Sequence, residues 1–245
     1  MNETITLLSN HRSIRKFTDE AVDRTTVEQL VSAGQHAATS SFIQACTVIQ
    51  VQDQKVRERF YEITNAQQYV REAPVFLVFC ADMQRHRLAC TMHDAPMMSG
   101  FTEQFVTASL DCALFAQNVA IAAESLGLGI CYIGALRNDI AAVDALLNLP
   151  DLVYPVFGMC IGHPAQDPEV KPRLPLEVVL KQETYTDEHD EQYLQEYDKA
   201  VRAYYQNRGG GAKDQSWTEQ ISAMLIKEAR PHMLAYLRSK GFLQK

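Results

Sequence analysis

Positive charge is in short supply across these 245 residues: 23 lysines and arginines face 30 aspartates and glutamates, for a formal net charge of −7. Binding along a phosphate backbone needs a broad basic surface, so nucleic acid is excluded as the main partner. No repeat and no low-complexity linker interrupts the chain. The glycine triplet at 209–211 is its one flexible-looking stretch. No G-x-G-x-x-G follows a strand-like run, so a Rossmann dinucleotide site is not supported. The six cysteines contain no C-x-x-C pair. Cys46, Cys80, Cys112, Cys131 and Cys160 sit among apolar residues, where free cysteine packs as a small hydrophobe. His86, Cys90 and His93 would share one helical face, but no fourth ligand stands at matching spacing. That stretch is expected to be a polar surface segment, with no metal. The longest apolar run, Phe105 to Ile130, is broken by Asp111, Gln117, Asn118 and Glu124. It predicts a buried helix rather than a membrane span. The opening "MNETITLLSN" has no basic region and no long apolar core, so a cytoplasmic location is expected.

Composition is that of an ordinary globular chain, 47% hydrophobic and 22% charged. The spacing of apolar residues predicts helices over 25–37 (with Asp23 as N-cap), 54–64, 103–126, 138–147, 189–206, 217–228 and 232–240. Strands are predicted at 45–53, 74–82, 130–133 and 152–162, with "LEVVLKQ" (176–182) as a further candidate. The run at 74–82 is apolar throughout, as in a strand buried on both faces. Helices and strands mix without strict alternation, which points to an α+β fold.

The scarce cations are grouped. "HRSIR" holds His11, Arg12 and Arg15 around Ser13; "KPR" holds Lys171 and Arg173; Arg202, Arg208 and Lys213 surround the glycine triplet. Arg12 and Arg15 are three apart and would share a face if helical. The guanidinium fork suits phosphate oxygens, and serine adds a further donor. Proline stiffens "KPR". Thr39, Ser40 and Ser41 fit either a polar loop or a set of donors lining a ligand, and spacing does not choose between them.

Taken in order, "HRSIRKFTDE", "ATSSF", "VFCAD", "AQNVAIAAESLGLGICYIGALRN", "KPRLP" and "EARPHMLAYLRSKGF" resemble the flavin-dependent nitroreductase family, in its branch of oxygen-insensitive NADPH nitroreductases and NADPH:FMN oxidoreductases. The resemblance covers nearly the whole chain. It implies a single nitroreductase-like domain over 1–245: a three-layer α+β sandwich with a mostly antiparallel sheet flanked by helices. It also implies an intertwined homodimer with FMN at the interface, in which a C-terminal segment from about 176 to 245 embraces the partner. Carried over position by position, His11, Arg12, Ser13, Arg15, Lys171 and Arg173 hold the FMN phosphate and ribityl chain and set a cation near the ring. Arg15 or Lys171 takes that last role, and no side chain serves as a catalytic acid or base. Gln67 bonds the flavin ring edge. Tyr132, Ile133, Gly134 and Ala135 run along the ring, and Thr39, Ser40 and Ser41 lie close to the cofactor. Arg208 and Lys213 bind NADPH, with NADH as the alternative donor. The chain departs from the family at three of these positions: Ala135 stands where glycine is common, Thr39 where serine is, and Lys213 where arginine is.

The implied activity is ping-pong transfer of two electrons from NADPH, through FMN, to nitroaromatics, quinones or related acceptors. An NADPH:FMN reductase supplying reduced flavin to a partner enzyme and a non-catalytic flavin-binding protein are the other two readings.

Overall fold

The computed structural model of the chain describes residues 2–209 and 211–245. In chain order the elements are α1 (Glu3–Ser9), α2 (Arg24–Gln35), β1 (Cys46–Gln50), α3 (Gln54–Ile63), α4 (Gln68–Glu72), β2 (Val75–Asp82), α5 (Gln84–Met92), α6 (Thr102–Ser125), β3 (Gly129–Ile133), α7 (Ile140–Leu147), β4 (Val153–Gly162), α8 (Leu176–Val179), α9 (Asp190–Asn207), α10 (Trp217–Leu225) and α11 (Met233–Ser239). Short 3-10 turns cover Ser40–Phe42 and Gly134–Asp139. They fall into two units. One is the chain up to Gln166 together with Arg230–Lys245; the other is Asp167–Ala229.

The first unit is built on one antiparallel sheet in the order β1-β2-β4-β3. All eight residues of β2 are buried, and their alternation splits the core in two. Val75, Leu77 and Phe79 join Leu30 of α2 and Ala116, Val119, Ala120 and Ala123 of α6 on one side. Phe76, Val78 and Cys80 join Phe60 of α3, Val70 of α4 and Val143 of α7 on the other. The result is helix, sheet, helix: the expected α+β sandwich in three layers. A third cluster seats the returning C-terminal segment, with Leu237 and Phe242 against Tyr154, Ala81 and Ala108. Pro155 is tolerated inside β4 because the register slips there, Phe79 facing Phe157 and Cys80 facing Pro155. The skipped Val156 turns its carbonyl to the Arg137 guanidinium.

α6 is long and apolar enough by length and composition to cross a membrane. Its small residues at 108, 112, 116, 120 and 123 are instead fully buried against the sheet layer. All six cysteines are free thiols, and only Cys90 is not buried.

The second unit holds α8, α9 and α10. Tyr197, Val201 and Tyr205, four apart on α9, form its small core with Leu174 and Trp217 against them. Ser216 and Glu219 close a capping box at the start of α10. The strand expected over 176–182 is not formed: Leu176–Val179 is a single helical turn. Its valines favour a strand, but no strand among the described residues offers it a ladder, and Pro175 at φ −54° opens a turn. The helix expected to reach 228 stops at Leu225.

Candidate functional site

The first basic segment is extended, not helical. Ser13 forms a parallel bridge with Ile130 on the open edge of β3, and the Ile14 amide donates to the Ile130 carbonyl at 2.8 Å. Arg12 and Arg15 therefore do not share a helical face. Ile14 is the anchor. It is buried, and Gly129 makes room for it, since a Cβ there would lie 2.5 Å from Ile14 Cγ1. Alternation along an extended chain sets Ser13 and Arg15 on the side away from Ile14. His11 is held by Glu124 of α6, Nδ1 to Oε1 at 2.6 Å.

Arg15 is exposed, and its guanidinium lies near enough to the Tyr69 phenol to act on it. Burial pushes the Tyr69 phenol up, with the Arg15 contact acting against it. Burial likewise raises the Cys131 thiol, again opposed by Arg15. Arg15 thus stands between the start of α4 and the middle of β3. Two residues before Tyr69, Gln67 caps α4 directly after a left-handed pair, Asn65 and Ala66, each at φ 58°. One residue after Cys131 begins the stretch Tyr132, Ile133, Gly134 and Ala135, where β3 runs out into the 3-10 turn. The half-buried Tyr132 ring meets Phe157 edge-on at 5.2 Å, and burial pushes its phenol up. The first unit therefore lays Ser13 and Arg15 along β3, next to 132–135, with Arg15 near Tyr69, two residues after Gln67.

Thr39, Ser40 and Ser41 lie on a loop that α6 pins from below. Asp111 accepts from the Thr39 hydroxyl, from the Ser40 amide at 3.0 Å and from the Ala45 amide at 3.1 Å. Ser40 and Ser41 remain exposed. Thr39 is thus a loop anchor, and the other two are the hydroxyls it presents.

Lys171, Arg173, Arg208 and Lys213 belong to the second unit. Lys171 Nζ donates to the Tyr205 hydroxyl at 2.7 Å, and Arg208 lies over the same ring at 4.8 Å. The Lys213 amide donates to the Tyr205 carbonyl at 3.0 Å. The Tyr197 hydroxyl fixes the Pro172 carbonyl at 2.9 Å, holding "KPR" in place between its two cations. Burial pushes the Tyr197 phenol up, with Arg173 opposing it. Arg202 is spent on Asp214 and Glu219, at 2.5 and 2.8 Å. Of the glycine triplet, Gly210 lies outside the described residues.

Tyr69, Asp111 and Tyr205 hold these positions, yet none carries a motif. Asp111 did have a signal, as a charge interrupting an apolar run. The other cluster weighed from the sequence comes apart. His86 turns Nε2 to the Ile43 carbonyl at 2.6 Å, and no group of three or more metal-binding side chains occurs among the described residues.

The comparisons decide the family. Residues 8–163 match the nitroreductase family model, and residues 171–245 match the model of the nitroreductase family C-terminal domain. The chain belongs to the nitroreductase family. Within it, the chain is 43% identical to the oxygen-insensitive NADPH nitroreductase of Salmonella typhimurium, over 99% of both chains. Among solved structures it is similar to NfrA1 of B. megaterium, at TM-score 0.96 and 40% identity, covering 99% of this chain and 100% of that one. It is also similar to the NADPH:FMN oxidoreductase of Vibrio harveyi complexed with NAD+, at TM-score 0.91 and 40% identity over the whole of both chains.

The nitroreductase site can be tested against an FMN phosphate on its donor chemistry. Arg15 is an exposed guanidinium with no carboxylate partner among the described residues, beside the Ser13 hydroxyl. A fork-shaped cation and a hydroxyl donor suit a phosphate oxyanion. The residues fit.

Proposed function

We propose that this chain is an FMN-dependent NADPH oxidoreductase that passes two electrons to nitroaromatics, quinones or related acceptors. The observation that carries the reading is the position of Arg15: an exposed cation with no carboxylate partner among the described residues, close to Tyr69 at the start of α4 and to Cys131 next to 132–135. Bound FMN supplies the hydride chemistry, taken from NADPH and given to the acceptor in a ping-pong cycle. The protein's own residues bind and orient. His11, Arg12, Ser13, Arg15, Lys171 and Arg173 hold the phosphate and ribityl chain, the cations among them balancing its charge. Arg15 or Lys171 also places positive charge where negative charge gathers on reduction, an electrostatic effect that grows as water is excluded. Gln67 bonds the ring edge, and 132–135 forms a backbone wall along it. Ser40 and Ser41, on the loop that Thr39 anchors, lie close to the cofactor, and Arg208 and Lys213 receive NADPH. No side chain needs to act as a general acid or base for hydride transfer.

The working unit is a homodimer. Val106, Leu110 and Leu114 recur every four residues on α6 and are exposed, and α1, which packs on α6, exposes Ile5 and Leu8. Exposed apolar surface of this kind marks an interface. The segment from about 176 to 245 reaches the partner through its earlier part, in keeping with exposed Leu176, Val179, Leu180, Leu225 and Ile226, while Leu237 and Phe242 seat its end on the chain's own first unit. Six free thiols support a cytoplasmic setting.

A second reading makes free FMN the acceptor, and the name of the Vibrio harveyi relative favours it. Both readings are tested on the purified protein without oxygen. NADPH should bleach the flavin bands faster than NADH does. A nitroaromatic, a quinone and free FMN are then ranked by the rate at which colour returns. A colourless protein that takes up no FMN would end both readings. A yellow protein that neither donor bleaches would leave only flavin binding.

A further inference from the structure

We propose that Asp111 is a positioning residue for the flavin site: it fixes the 39–45 loop in the one conformation that presents Ser40 and Ser41 to FMN. This rests on the reading above that those two hydroxyls line the cofactor.

The carboxylate sits in the middle of α6 and is 4% exposed. A buried acid needs partners for both oxygens. Here all three partners come from one loop. Oδ2 accepts from the Thr39 hydroxyl and the Ala45 amide, and Oδ1 from the Ser40 amide. The charge therefore clamps both ends of a seven-residue stretch. Thr39 carries the clamp further, because its Oγ1 accepts from the Gln44 amide at 2.8 Å while donating to Asp111.

The stretch between the clamped ends needs such a hold. Ser41, Phe42 and Gln44 have φ of 49°, 58° and 53°. None is a glycine, and left-handed backbone is disfavoured for residues that carry a Cβ. Such a conformation persists only where the surroundings over-determine it, and it clusters at functional sites. Phe42 at its tip is 78% exposed, while Ile43 and Ala45 pack into the third core cluster. Further support comes from β2, whose Asp82 amide donates to the Ala45 carbonyl at 3.0 Å, and from α5, with His86 Nε2 on the Ile43 carbonyl at 2.6 Å and Arg85 Nη1 near the Gln44 carbonyl at 3.5 Å. Freed from Asp111, the backbone would relax toward negative φ and turn both serines.

An amide cannot replace this carboxylate. Asp111→Asn puts an NH2 against one of the donor sets and loses at least one bond. Thr39→Val removes the hydroxyl link at constant shape, and Thr39→Ser keeps it.

The test uses flavin-free protein refilled with FMN, with affinity read from quenching of flavin fluorescence, alongside the visible spectrum of bound flavin and the melting temperature. Asp111→Asn and Thr39→Val should each weaken FMN binding about tenfold, the scale of one lost bond to a charged group, and shift the flavin absorption envelope. Thr39→Ser should recover affinity to within about twofold, because its hydroxyl can make the same bond. Thr39→Val keeps the test open if Asp111→Asn does not fold. A lower melting temperature with unchanged FMN affinity and spectrum would reduce Asp111 to a structural anchor and overturn the proposal. Equal losses in Thr39→Ser and Thr39→Val would also overturn it. Failure of the unaltered protein to bind FMN would instead remove the functional reading itself.

Discussion

Lys171 and Arg208, 37 positions apart in sequence, meet at one aromatic ring: Nζ of Lys171 lies 5.0 Å from the Tyr205 centroid and the Arg208 guanidinium 4.8 Å. The ring faces attract both cations, and the hydroxyl accepts from Lys171 at 2.7 Å while donating to Gln220 at 3.1 Å. Tyr205→Phe keeps the ring and deletes the hydroxyl. Lys171 then loses its fixed direction. Because the lysine is half-exposed, water replaces part of the bond, and the loss is about 1 kcal/mol. FMN affinity should fall roughly fivefold, which is that energy expressed as a binding constant, with the melting temperature lowered by only a few degrees. Titration of flavin-free protein with FMN, beside a thermal scan, checks both. Unchanged affinity would mean that Lys171 does not serve the cofactor.

Arg15 and Lys171 should separate when FMN is compared with riboflavin. A residue that binds phosphate matters only to the first ligand. Arg15→Ala is expected to cost FMN about tenfold and riboflavin little, as for one charge-assisted contact. Lys171→Ala should weaken FMN retention and also lower the flavin midpoint potential, because a cation near the ring stabilises the reduced, anionic form. A fall of about 30 mV corresponds to about 1.4 kcal/mol for two electrons. Spectroelectrochemistry of the two variants decides which cation faces the ring. A potential that moves in Arg15→Ala alone would exchange the two roles.

Gly129 is a packing requirement of the basic segment. A Cβ would lie 2.5 and 2.7 Å from Ile14 side-chain atoms, too close for either residue to stay. Gly129→Ala should therefore push the 11–15 segment off the edge of β3. Overpacking of this kind costs roughly 1–3 kcal/mol, and FMN affinity should fall with it because Ser13 and Arg15 move together. Gly127, at φ 76°, has nothing within 4 Å of a would-be Cβ, so Gly127→Ala pays only for its backbone and should spare FMN. Chemical denaturation and FMN titration of both variants check this. Equal FMN losses in both would show that the Ile14 contact does not set the site.

Much of this fold could be read from periodicity. The strand at 75–82 and the helix at 102–125 are long and uniformly apolar on the faces they bury, so local pattern and tertiary burial agree. The pattern misled where burial was absent. "LEVV" has strand-like valines but no ladder to join, and it coils into one turn. "HRSIR" offered a helical spacing, yet an open sheet edge took it as an extended segment. The site was legible as residue types and not as contacts. Arg15, Gln67 and the 132–135 stretch lie far apart in sequence, and Tyr69, which lies near Arg15, carries no signature of its own. Asp111 entered the sequence argument only as a charge interrupting an apolar run. Its role depends on which way α6 faces, and that is a property of the packed sheet.

Acid should unfold the protein in part through Asp82. Burial pushes this carboxyl up, but bonds from Thr47 at 2.5 Å, Arg85 at 3.1 Å and the Gln84 amide at 2.8 Å prevail and hold it below the usual carboxylate range. A depressed value in the folded state means a contribution that is present above the unfolded value, about 3.9, and lost as pH falls through the folded one. Asp82→Asn should cost about 1–2 kcal/mol at pH 7, and the gap to the unaltered protein should close below about pH 4. Urea unfolding at pH 7, 5, 4 and 3 measures it. A gap that stays constant down to pH 3 would show that Asp82 is not a source of acid sensitivity.

The dimer can be tested at Leu110, the centre of the α6 stripe. Its neighbours one turn away, Val106 and Leu114, are 39% and 46% exposed, and Leu110 itself is 57% exposed. A helix that shows three aliphatic side chains at four-residue spacing on its outer face needs a cover. Leu110→Glu leaves the first unit's core untouched, because the residue contributes nothing to it, so folding should survive. At an interface the same change buries a carboxylate without a partner, at a cost of several kcal/mol. That is at least about a hundredfold in the dimer constant. The variant should elute as a folded monomer in size exclusion with light scattering, with circular dichroism unchanged. It should also lose FMN, since a site at the interface is incomplete in one copy. Monomers that keep full FMN affinity would confine the cofactor to a single chain. A variant that remains dimeric would move the interface away from α6.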